Sequence, residues 1–175
     1  MEHHTDNGGP ENRQSRANPE DVAWLAGVVD GEGYIGACQT KGAPIKCDFA
    51  INNCSLDLLE KAKRIVQSLT YRSYTIHRCS DKKGRNFVFH SFRVSDQKGI
   101  WLVCRAILPY LTAKRPQAQA MIEFCESRFL NRHTREGYSA WEQSIVPRLQ
   151  QLKKAGYTPH PGRVETERVA PGDVT

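Results

Sequence analysis

The alternation of apolar and polar positions divides the stretch from residue 18 to about 157 into a regular series of elements. Asn18-Pro19-Glu20-Asp21 reads as a helix start: Asn at the N-cap, Pro at the first helical position, and acids where the helix dipole favours negative charge. The helix carries Ala23, Leu25 and Val29 and is expected to stop at Gly31 and Gly33. Tyr34 to Thr40 follows as a short strand. Ile45 to Asn52 then alternates strictly. Ile45, Cys47, Phe49 and Ile51 share one face, and Lys46, Asp48, Ala50 and Asn52 the other, which predicts a strand with one buried and one free side. Leu58, Leu59, Ala62, Ile65, Val66 and Leu69 recur at helical spacing.

Residues 72–79 and 87–94 read as a β-hairpin joined by the turn-rich segment 80–86. Ser95-Asp96 opens a further helix through Ile100, Val103, Cys104 and Ile107, and two more helices are expected over 115–131 and 139–155. The order α-β-β-α-β-β-α with extra C-terminal helices defines an α+β fold. Its antiparallel sheet has helices on one face and leaves the other free. Residues 1–17 are rich in Asn, Gly, His and Arg, while 158–175 hold three prolines and two glycines among alternating charges. Neither end buries enough apolar surface to offset its ordering entropy. Both are expected to be disordered tails of a single domain, 18–157.

Charge adds a partner class. The chain carries a formal +6 with a pI near 9.1. That points to a polyanion without separating nucleic acid from a membrane surface. No apolar run approaches the roughly 20 residues a membrane span needs, and Met1 to Asn18 lacks the apolar stretch of a secretory signal. An intracellular protein with no membrane partner is expected. The six cysteines form no C-x-x-C pair, so they read as small buried thiols in a reduced protein rather than as a zinc knuckle.

The informative segment is Trp24-Leu25-Ala26-Gly27-Val28-Val29-Asp30-Gly31-Glu32-Gly33. Small residues at 23, 27 and 31 fall on one helical face and would let a second backbone approach closely. Two such helices packed together would bring two Glu32 carboxylates near a two-fold axis, a natural place for divalent cations at phosphates. On these residues alone, a polar turn closing a buried helix is the simpler account.

Leu25 to Gly33, L-A-G-V-V-D-G-E-G, resembles the LAGLIDADG motif of homing endonucleases, with Glu in place of the second Asp. The resemblance covers about residues 19–131, and a single motif implies a homodimer. It implies an interface built from Ala23, Ala26, Gly27, Asp30 and Gly31. It also implies that Glu32 binds the catalytic Mg²⁺ or Mn²⁺, with the Gly31 carbonyl as a second ligand. Asp30, the first acid, reads as structural. Pro109 to Ala118 resembles the family's P-[FY]-L-x-x-K-x-x-Q-A segment, which implies that Lys114 reaches the active site. A third polar residue that orients water in the family maps best onto Asn53, with Asn52 as its rival. An Asn at this place would equally cap the following helix.

The resemblance implies an enzyme that hydrolyses phosphodiesters on both strands of a long, near-palindromic double-stranded DNA site. The free face of the sheet would be a DNA-binding saddle. Strand parity places Tyr34, Gly36, Cys38, Thr40, Lys46, Asp48, Ala50, Asn52, Thr75, His77, Ser91 and Arg93 on it, and a one-residue slip would reverse the set. Lys82, Lys83 and Arg85 would add contacts from the hairpin turn, where a merely soluble tip is the alternative. Three other readings stay open: an RNA-binding maturase of the same fold, a catalytically inactive DNA-binding relative, and a basic interaction module.

Overall fold

The computed structural model of the chain describes residues 17–80, 88–130 and 137–155. The expected tails, but for Ala17, and the bases Lys82, Lys83 and Arg85 lie outside the described residues.

Helix α1, Pro19–Glu32, begins as its capping residues require: the Asn18 side chain accepts the Asp21 N–H at 2.7 Å. It runs past Gly31 to the second of the two expected stops, Gly33, and passes directly into strand β1, Gly33–Cys38. One interior glycine costs a helix only about 1 kcal/mol, too little to end one whose face is packed. Gly33 is where the helix must end. A Cβ there would lie 2.7 Å from both the Cα and the carbonyl oxygen of Val29, so only glycine allows so abrupt an exit into a strand.

Strands β2 (Lys46–Asn53), β3 (Ile76–Ser80) and β4 (Val88–Val94) complete a four-stranded antiparallel sheet in the order β1-β2-β4-β3. Two positions expected on the free face of the sheet fall outside it. The Ala43 N–H bonds back to the Thr40 carbonyl at 2.9 Å and Gly42 takes φ +76°, a turn that removes Thr40 from the sheet. Thr75 precedes β3, because Tyr74 is drawn toward Asp96: its hydroxyl donates to that carboxylate at 2.9 Å and its ring meets Phe92 edge-on.

Helix α2, Leu56–Thr70, is capped by Ser55, and α3, Gln97–Ile107, by Asp96. A 3₁₀ turn at Leu108–Tyr110 leads toward α4, Arg115–Leu130. The single helix expected over 139–155 is two: α5, Ala140–Gln143, and α6, Ile145–Ala155. Pro147 explains the break. Its ring excludes the carbonyl four residues back, while a proline in the first turn of a new helix loses no intrahelical bond.

The α+β layering is as the pattern predicted. Ile35, Phe49, Ile51, Phe92 and Val94 point from the sheet into a core closed by Leu25, Val29, Leu59, Val66, Val103 and Phe124. Cys47, Cys104 and Cys125 are buried there, and burial pushes the Cys104 thiol up to about 12. Cys38 and Cys54 are exposed instead, one at the outward-facing end of β1, the other in the turn before α2. Among the described residues no helix is long and apolar enough to cross a membrane.

Candidate functional site

The site is assembled where α1 ends. Glu32 is the last residue of that helix and is exposed. Helical geometry leaves its final carbonyls without intrahelical partners. One of them, from Asp30, is taken by the Lys114 ammonium at 2.6 Å. The Asp30 carboxylate holds the rest of the same loop, accepting the Thr112 N–H at 2.7 Å and the Lys114 N–H at 2.8 Å. Lys114 is therefore pinned to the end of the helix that carries Glu32, across more than eighty residues of chain. Burial lowers the Lys114 ammonium from its ordinary value, and the charges of Asp30 and Glu32 work against that shift.

This geometry revises the expected interface. Val22, Leu25, Ala26 and Val29 form the buried face of α1, so Ala26 belongs to the chain's own core. The carboxylate of Asp30 is engaged within the chain. Ala23 is half-buried, whereas Gly27 and Gly31 are exposed, and a Cβ added at either would meet nothing within 4 Å. The open face of the helix is thus the one that carries the glycines. Trp24 flanks it, with the Lys61 ammonium 4.3 Å from its ring centre and 3.7 Å from Asp21.

Of the two asparagines, Asn53 shares the parity of Phe49 and Ile51, and its side-chain oxygen accepts the Ser55 N–H at 2.8 Å. Asn52 is exposed on the free face. The β1–β2 register begins with Gly33 opposite Ile51, directly after the helix that carries Glu32 ends.

The free face has the expected parity. Tyr34, Cys38, Lys46, Asp48, Asn52, His77 and Arg93 all stand on it at least partly exposed. Ser91 also points that way but is buried between its register partners Asn52 and His77, so these two present the surface there. Sequence reasoning did not find two features. Arg93 pairs with Asp48 at 3.5 Å. The Lys153 ammonium lies 5.4 Å from the ring centre of Tyr34, which brings the basic end of α6 to the edge of this face. The sequence pattern placed a helix over 139–155 but could not show which edge of the sheet it would sit on.

No protein-family model matches the sequence, and no curated protein does. Solved structures do. The chain is similar to the homing endonuclease I-CvuI, crystallised in complex with the I-CreI target in the presence of Mg, at 18% identity over 84% of this chain and 89% of that one, with a TM-score of 0.59. It is also similar to a point mutant of I-SmaMI (16%, covering 83% and 46%, TM-score 0.51) and to the LAGLIDADG meganuclease I-AabMI bound to uncleaved DNA (20%, covering 74% and 49%, TM-score 0.50). The chain spans about half the length of the last two. The protein has the LAGLIDADG homing-endonuclease fold.

Proposed function

We propose that the protein is a site-specific, divalent-metal-dependent endonuclease that acts as a homodimer on both strands of a near-palindromic DNA duplex. The observation that carries this reading is the joining of Lys114 to the end of α1 by two hydrogen bonds to Asp30, with a third from Thr112 beside it, which sets an ammonium within the field of the exposed Glu32. Among the described residues the neighbouring sheet face is uncovered, and similar structures were solved on DNA.

The donor set suits a hard cation. Among the described residues no three His, Cys, Asp or Glu cluster as a metal site. Mg²⁺ needs only one or two carboxylates when phosphates and water fill its other positions. Glu32 and the Gly31 carbonyl would supply the protein's oxygens, and a second chain packed along Gly27 and Gly31 would bring its own Glu32 near the axis. When bound, such an ion makes a coordinated water a better nucleophile and offsets charge on the leaving oxygen.

The chain's own groups do the rest. Lys114 stabilises charge developing on the phosphoryl oxygens. Asn52 or Asn53 orients the attacking water. Strand residues of the free face hold the duplex, with phosphate contacts setting register and base edges setting sequence.

The test is selection from random duplex DNA in Ca²⁺ followed by transfer of the bound pool to Mg²⁺, with Glu32→Gln beside wild type. A long near-palindrome cut only by wild type is the expected result. Binding without cutting by either protein would make it a DNA-binding relative, and no duplex enrichment would remove the DNA reading altogether.

A further inference from the structure

Asp48 is the one acid among the described outward positions of the sheet. A carboxylate facing a polyanion is repelled, so its place on this surface calls for a reason. Stability is a weak one. The side chains of Arg93 and Asp48 are 57% and 23% exposed, and pairs this open contribute little.

Their setting is more specific. Arg93 and Tyr34 are the two register partners of Ala50, and Gly36 is the partner of Asp48. Ala50 and Gly36 are buried and nearly without side chain, and the Tyr34 ring lies so close over Gly36 that a Cβ there would stand 2.2 Å from its hydroxyl oxygen. Tyr34, Asp48 and Arg93 therefore rise together from a floor of small residues. The Tyr34 hydroxyl senses both charges: burial raises it most, Asp48 raises it further, and Arg93 opposes them.

We propose that Asp48 and Arg93 act as one unit that reads a single G·C base pair in each half of the target, next to the cleaved phosphates. Arg93 donates to the guanine O6 and N7, and Asp48 both holds the guanidinium and accepts from the cytosine amino group. The chemistry fits: guanidinium has five N–H donors in a fixed fork, so one directed at Asp48 leaves others for the base. Arginine on guanine and a carboxylate on the cytosine amino group are the complementary pairings of the major groove. The position follows from the sheet. Tyr34 shares a row with Ala50 and Arg93 and is the second residue of β1, which starts directly after the helix that ends in Glu32. The base pair read is an inner one.

This inference rests on the DNA-cleaving reading, and the same selection tests both. It would be repeated with Arg93→Lys and Asp48→Asn. The expected result is one inner G·C pair per half-site in the wild-type consensus. Arg93→Lys, which keeps the charge but loses the fork, should lower discrimination there by roughly ten- to a hundredfold. Asp48→Asn should weaken preference at that position alone, with the salt dependence of binding and the thermal melting of both variants near wild type. A wild-type consensus with no inner G·C pair, or one that neither variant changes, overturns the pairing while leaving the nuclease reading intact. Absence of any enriched duplex overturns both.

Discussion

Helices α1 and α6 each bury one side and present the other beside the site, but they do so with opposite chemistry. The buried side of α1, Val22, Leu25, Ala26 and Val29, lies under the centre of the fold, and its outer side is stripped to Ala23, Gly27 and Gly31. Helix α6 buries only Ile145 and Leu149 and ends in Lys153 and Lys154, the first of them over Tyr34. A surface without side chains suits the close approach of another backbone, and one ending in lysines suits a polyanion. The core needs α1 in its place, while it asks of α6 only that it stay seated at an edge.

That contrast can be broken at its core end first. Leu25 is fully buried among core residues, so Leu25→Ala should cost about 2–5 kcal/mol in urea unfolding, through lost burial and the cavity left behind. Leu149→Ala, made at the edge, should cost less. An equal loss at both would show that α6 is as central to the fold as α1.

The outer side of α1 should respond in the reverse sense. Gly27→Ala meets open space, and relief of glycine's entropy should stabilise the single chain by up to about 1 kcal/mol. In the proposed homodimer, Gly27→Leu should leave the fold intact and abolish self-association in sedimentation. A Gly27→Leu chain that still dimerises would move the interface elsewhere.

The smallest effect belongs to α6. Lys153→Ala should leave thermal stability within about 0.5 kcal/mol. It should lower the slope of log affinity against log salt for duplex DNA by about one per protomer. An unchanged slope would make the lysine a partner of Tyr34 only.

Much of the fold could be read along the chain because its signals are local. Asn18 and Pro19 cap and start α1 through contacts three residues long, and the strict alternation of β2 fixed which of its side chains enter the core. Where a turn competed, the pattern overran: Thr40 and Thr75 alternate like strand residues but are drawn off by the Gly42 turn and by Tyr74 bonding to Asp96. The motif and the segment around Lys114 named the groups of the site by resemblance, without saying what holds them together.

What the sequence determined by itself was period and parity: which residues share a face, where helices start, and that one acid stands between two glycines. Only the tertiary structure decided how those faces are used. Ala26 and Gly27 are neighbours with similar size, yet one is sealed in the core and the other open, because α2, α3 and the sheet close on a single side of α1. Asp30 became the clamp of Lys114 and Arg93 a partner of Asp48 through contacts that depend on where separate elements dock. Periodicity constrains a side chain's direction relative to its own backbone. Which group it meets is set by the packing of elements far apart in the chain.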